Sequence, residues 1–191
     1  KQIDVGIDFI SDGEMSKISY ATYIKDRIDG FSGESERRAP ADLDDFPEYK
    51  EKIAKSGGTP TYTRPCCTNE LKLKDEKSLL NDLNNFNTTL KKYNHHNAFM
   101  NAASPGVINV FMPNKFYKSE EEYLDQLSII MAKEYEAITK SNIHVQLDCP
   151  DLALARHMNF KSLSENEFIK RAELQIECLN SALSNVDIDQ T

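Results

Sequence analysis

Residues 143–151 read Ile-His-Val-Gln-Leu-Asp-Cys-Pro-Asp, and their pattern decides the fold. Val145 and Leu147 alternate with His144, Gln146 and Asp148, the period of a strand with a different neighbour on each face. Pro150 ends the strand, because proline has no N–H for a sheet ladder and biases the preceding residue towards extended backbone. Gln146 and Asp148 are thereby carried to the C-terminal end on one face. Ligands of parallel α/β proteins bind at that end. Asp148 is therefore either a site carboxylate or a solvated loop acid.

Working upstream, Ser119-x-x-Glu122 has the form of a capping box. It predicts a helix with Tyr123, Leu127, Ile130, Met131, Glu134 and Ile138 on one side. Ala98-Phe-Met-Asn-Ala-Ala103 reads as a strand ending in Ser104-Pro105-Gly106, and residues 75–93 as a helix with a stripe of Leu79, Leu83, Phe86 and Leu90. Residues 62–73 read as an extended piece interrupted by Pro65. Residues 29–60, punctuated by Gly30, Gly33, Pro40, Pro47 and Gly57-Gly58, read as an excursion loop holding one short helix at 47–55. At the start, Gly6 suits a helix C-cap, residues 7–11 a buried strand, and residues 20–28 a helix with Tyr20, Tyr23, Ile24 and Ile28 inward. Downstream, a second capping box, Ser164-x-x-Glu167, opens a last helix with Phe168, Ala172, Ile176, Leu179 and Leu183 as its stripe.

Strands alternating with helices call for a parallel sheet with right-handed crossovers. Four such units make about half of a (β/α)₈ TIM barrel, which needs roughly 250 residues. The expected architecture is one partial barrel domain over residues 1–191, with an open doubly wound sheet as the other possibility. No G-x-G-x-x-G or G-x-x-x-x-G-K supports nucleotide binding. The net charge of −8 argues against nucleic acid, and no apolar run approaches a membrane span. Cys66, Cys67, Cys149 and Cys178 show neither a metal-knuckle spacing nor a disulfide framework, so reduced thiols and a cytoplasmic address are expected. The chain has no initiating Met and reads as a piece of something longer.

Strand ends then nominate a site. Asp12-Gly13-Glu14, Ser104 and Gln146-Leu-Asp148 fall on the same side by topology, and Arg64 joins them from the interrupted extended piece. A mouth lined by Glu14 and Asp148 suits an ammonium group, whose three donors two carboxylates can accept, or a pair acting as acid and base. The bland readings are a helix N-terminal acid for Glu14, a loop acid for Asp148 and a turn residue for Ser104. His95 and His96 read as exposed, His144 as a core histidine, and His157 is the one histidine near the strand end. None has a metal-ligand spacing.

Gly6-Ile-Asp-Phe-Ile-Ser-Asp-Gly-Glu14, Ser104-Pro-Gly106, Glu134-Tyr-Glu-Ala-Ile138 and Gln146-Leu-Asp-Cys-Pro-Asp-Leu-Ala153 together resemble the cobalamin-independent methionine synthase family. The nearer likeness is to its short single-barrel relatives, which share a barrel with epoxyalkane–coenzyme M transferase. The resemblance implies a (β/α)₈ barrel and a zinc ion that turns a substrate thiol into a nucleophile for an alkyl group, carried in methionine synthases by a folate. It implies that Glu14 and Asp148 hold the amino group of a homocysteine-like substrate. The family's arginine–cysteine pair is matched only by Arg64-Pro-Cys66, with a proline inserted. The acid beyond its Q-x-D-E-P motif is replaced by Leu154. The family's zinc ligands belong to the second half of the barrel, and the chain stops at Thr191 before the strand expected to carry them. No metal is therefore expected on this chain.

The leading expectation is a fragment of a zinc-dependent methyl- or alkyltransferase acting on a thiol, akin to 5-methyltetrahydropteroyltriglutamate–homocysteine methyltransferase and inactive alone. The alternatives are a non-catalytic module binding a small molecule, and a metal-independent acid–base enzyme such as a decarboxylase on the same barrel. The open edges and uncovered interior of a half barrel predict self-association.

Overall fold

The computed structural model describes residues 1–35, 41–55, 64–74 and 76–191. Pro40, Gly57-Gly58, the start of the extended piece at Tyr62 and the expected helix start at Asp75 lie outside them. The described strands are β1 (Ile10–Ser11), β2 (Ile28–Ser32), β3 (Cys66–Leu73), β4 (Ala98–Ala103) and β5 (His144–Asp148). The helices are α1 (Ile24–Arg27), α2 (Pro47–Lys55), α3 (Lys77–Lys92), α4 (Pro105–Phe111), α5 (Glu120–Lys140), α6 (Ala155–Met158) and α7 (Glu165–Ala182).

β1, β4 and β5 form a parallel sheet in the order β1-β4-β5, with Ile10 opposite Ala98, Asn101 opposite Gln146 and Ala103 opposite Asp148. Alternation divides its faces. Ile10, Ala98, Met100, Ala102 and Val145 join the apolar core with Leu83 and Phe86 of α3 and Leu127, Met131 and Ile138 of α5. Phe9, Ser11, Phe99, Asn101, His144, Gln146 and Asp148 share the other face; Gln146 is exposed and Phe9 and His144 meet edge to face at 5.2 Å. The alternation read at residues 143–151 is thus realised.

Three expected elements are corrected. Within the extended piece read at 62–73, Cys66–Leu73 is not a fourth parallel strand: β3 pairs antiparallel with β2, so it and the start of the excursion form a two-stranded ribbon outside the parallel sheet. Gly30 makes this possible. Its φ is +108°, the register shifts beside it, and a Cβ there would lie 2.8 Å from the Glu70 carbonyl oxygen. The expected helix at 20–28 shrinks to the single turn of α1, since Ile28 is already in β2. Its inward residues Tyr23, Ile24 and Ile28 are buried all the same. β1 is likewise shorter than residues 7–11.

Elsewhere local chemistry set the elements as read. Gly6, at φ +83°, caps a short 3₁₀ turn, and α2 begins at Pro47. The stripe of Leu79, Leu83, Phe86 and Leu90 is the buried face of α3. Ser164 and Glu167 form a complete capping box. The Ser119 hydroxyl accepts from the Glu122 N–H at 3.1 Å, but the Glu122 carboxylate reaches the N–H of Lys118, one residue before the cap. α7 keeps most of its expected stripe, with Phe168 buried and Leu179 and Leu183 packed partly buried against the core, but Ile176 is exposed and Gln175, Cys178 and Ala182 are buried beside the stripe.

Candidate functional site

The parallel order puts the C-terminal ends of β1, β4 and β5 side by side. Beyond β1 the chain turns sharply. The Asp12 carboxylate accepts the Glu14 N–H at 3.2 Å and the Ser11 hydroxyl accepts the Gly13 N–H at 3.3 Å. Gly13 and Glu14 both have left-handed backbone, at φ +71° and +52°. Glycine adopts this freely, whereas glutamate is strained there by about 1 kcal/mol or more. The strained turn swings the Glu14 carboxyl towards Asp148. Burial, above all, holds that carboxyl above the usual range; Lys17 pulls it down, and the charges of Asp148 and Asp12 push it up. Glu14 Oε1 is shielded from water and has no hydrogen-bond partner among the described residues.

Asn101 sits at the centre. Its side-chain amide donates to both oxygens of Asp148, at 3.3 and 3.4 Å, and its main-chain carbonyl accepts from Lys17 Nζ. Lys17 Nζ also lies 4.5 Å from the centre of the Tyr23 ring. Tyr23 is buried. Its hydroxyl donates to Glu134 at 2.6 Å and accepts from the Ala103 N–H at 3.3 Å. Burial foremost, with Glu134 beside it, keeps the phenol well above its ordinary value, so it remains a donor. Arg27 completes the layer, bridging Glu134 at 2.9 Å and Asp82 at 2.7 Å.

The expected residues therefore separate. Asp148 and Asp12 each come within electrostatic reach of Glu14, and Gln146 is exposed on the sheet face that carries Asp148. Ser104 is buried. Its hydroxyl caps α4 by accepting from the Val107 N–H at 3.0 Å and donates to Asp151 at 2.9 Å, which fits the turn reading. Arg64 lies elsewhere, 4.7 Å above the Phe111 ring, in a cleft of about 590 Å³ lined also by Lys115, Phe160 and Arg171. A cavity of about 360 Å³ between β1 and α3 includes Asp12 but neither Glu14 nor Asp148. Asn101 and Lys17 were not singled out from the sequence, and Tyr23 was read only as an inward-facing core residue. The signal for Asn101 was a lone polar residue in the apolar strand 98–103. For Lys17 it was a cation three residues after Glu14.

Among the described residues no group of three or more His, Cys, Asp or Glu side chains is placed to hold a metal ion. Cys67 is buried, and burial pushes its thiol up to about 11. No helix among the described residues is long and apolar enough to cross a membrane.

The fold and this strand-end mouth define the chain as a mixed α/β protein with a parallel sheet whose C-terminal edge carries carboxylates. No protein-family model and no curated protein matches the sequence. Among solved structures, the fold is similar to a B12-independent methionine synthase from Shewanella sp. W3-18-1, solved in complex with selenomethionine. The TM-score is 0.64 and the identity 16%, over 97% of this chain and 46% of that one. The likeness is one of fold, and the chain spans about half the length of that protein.

Proposed function

We propose that this chain is the substrate-holding part of a methionine-synthase-like alkyltransferase, with a mouth that takes the ammonium group of an amino-acid thiol such as homocysteine. The observation that carries the reading is Glu14 Oε1, withdrawn from water and unmatched by any described donor, beside an Asp148 carboxylate already oriented by Asn101. A buried acceptor without a donor is costly, so the arrangement is complementary to an incoming N–H. The solved neighbour's complex with selenomethionine, itself an α-amino acid, supports the same class of ligand.

In this reading Glu14 and Asp148 each accept an N–H of the ammonium group and Gln146 lines the same face. Holding the amine at two points orients the rest of the molecule, which is how a fixed pose raises the rate of group transfer. Ligand charge also favours the ionised form of Glu14, so binding strengthens as pH rises through its elevated pKa. A zinc ion would supply thiol activation in a complete family enzyme, but the described residues offer no fitting ligand set. A folate-type donor and pairing of two copies over the open sheet face belong to the same reading.

Calorimetric titration with L-homocysteine tests it. The wild-type chain should bind, and Glu14→Gln and Asp148→Asn should each weaken binding about tenfold or more, the worth of one charge-assisted hydrogen bond. Unchanged affinity in both variants would overturn the assignment.

A further inference from the structure

The mouth is not uniformly acidic. Glu14 feels the negative charges of Asp148 and Asp12 and the positive charge of Lys17, and Lys17 is held in a defined place. Its Nζ donates to the Asn101 carbonyl and rests on the Tyr23 ring at 4.5 Å. That ring is locked from behind: its hydroxyl is fixed by Glu134 and the Ala103 N–H, and Arg27 lies 4.9 Å from the ring. A lysine on a mobile surface turn ordinarily keeps its ammonium in water. Here the ring of a buried tyrosine and the main chain of β4 hold it instead. An ammonium has three donors, and Asn101 uses one.

We infer that Lys17 is a specificity-determining residue that receives the carboxylate of the ligand, so that the mouth, with Glu14 and Asp148 taking the ammonium group, selects a zwitterionic α-amino acid over a simple amine. This rests on the amine-binding reading and adds the second pole. Asn101 ties the two poles together, its amide on Asp148 and its carbonyl on Lys17. A preorganised cation beside preorganised anions matches a zwitterion without reorganisation, whereas a bare amine leaves Lys17 unused.

The test compares L-methionine with 3-(methylthio)propylamine, the same molecule without its carboxylate, by calorimetry on the wild-type chain, Lys17→Met and Lys17→Arg. Wild type should bind L-methionine about tenfold or more tightly than the amine. Lys17→Met should lose that preference through weaker L-methionine binding, while the amine binds no more weakly than to wild type, and Lys17→Arg should retain it. Equal wild-type affinity for the two ligands overturns the role of Lys17 and leaves the amine mouth standing. Tighter binding of both ligands to Lys17→Met also overturns it, since Lys17 would then be a competitor for the acids. Binding of neither ligand to wild type overturns the amine mouth and this inference together.

Discussion

Gly106 is the position where a single methyl group should do the most damage. It lies in the first turn of α4, just after Ser104, and a Cβ built there falls 2.1 Å from Asp151 Oδ2, 2.7 Å from its Cγ and 3.2 Å from Cδ of Gln175. The glycine is needed for space. Asp151 and Gln175 are each only 2% exposed, so neither can swing into solvent. Gly106→Ala must push Asp151 away and break its 2.9 Å bond from the Ser104 hydroxyl, the contact that ties the tip of β4 to the segment after β5. A hydrogen bond to a buried charge is worth about 1.5–3 kcal/mol and overpacking costs about 1–3 kcal/mol. Together they predict a loss of about 3–5 kcal/mol, or roughly 6–20 °C in Tm for a chain of this size. Thermal unfolding followed by circular dichroism, with urea titration alongside, measures it. Asp151→Ala supplies the control: in that background Gly106→Ala should cost less than about 1 kcal/mol, a coupling that neighbours sharing one space must show. A single Gly106→Ala variant within about 2 °C of wild type, or strict additivity with Asp151→Ala, would refute the reasoning.

Arg27→Met should be nearly as damaging, because it leaves Glu134, 6% exposed, and Asp82 without their shared cation; about 3–5 kcal/mol is expected in urea unfolding, and less than about 1 kcal/mol would contradict it. Glu14→Gln should act in the opposite sense. A carboxyl whose folded pKa is raised binds more protons folded than unfolded, so its contribution to stability falls as pH rises from the ordinary carboxylate value through the raised one. Above that window the wild type carries the full penalty and Glu14→Gln should be the more stable chain. Below it, where both side chains are neutral, the gap should close. A Tm difference between the two that does not change from pH 7 down to acid would count against the burial of this charge.

What was legible in the sequence was local chemistry and period. Pro47, Ser164 with Glu167, and Gly6 each mark an element boundary by satisfying or ending a particular set of backbone bonds, and each stands where it was read. The alternation at 143–151 survives because the strand has one face on the helices and one open, and the strand read at 98–103 lies beside it. The two-stranded ribbon was not legible. Residues 28–32 and 66–73 are extended segments on either side of a long excursion, and nothing in their own pattern says whether they pair with each other or enter the parallel sheet. Gly30 permits the pairing that forms, since its bulge admits the Glu70 carbonyl where a side chain would not fit, and one glycine in a charged loop is indistinguishable from any other turn. On α7 only Ile176 leaves the expected stripe, for a related reason. A polar Gln175 is buried against Gly106, so the buried stripe does not follow hydrophobicity.

The candidate site divides along the same line. Carboxylates at strand tips can be found from strand ends alone, which is why Glu14 and Asp148 were reachable. Lys17, Asn101 and Tyr23 were not, because their roles exist only once register is known. Asn101 can touch Asp148 since β4 and β5 are aligned with Ala103 opposite Asp148, which sets Asn101 two residues back on the same face. Lys17 reaches the Asn101 carbonyl because β1 is paired to β4 on the other side and the Gly13-Glu14 turn folds the chain back over that strand. Slide β4 by one residue and the asparagine passes to the helix-covered face, its amide among Met100 and Val145 and its link to Asp148 gone. A polar residue in the middle of an apolar strand is thus the cheapest sequence clue to such a site, since the core would expel it unless the other face had a use for it.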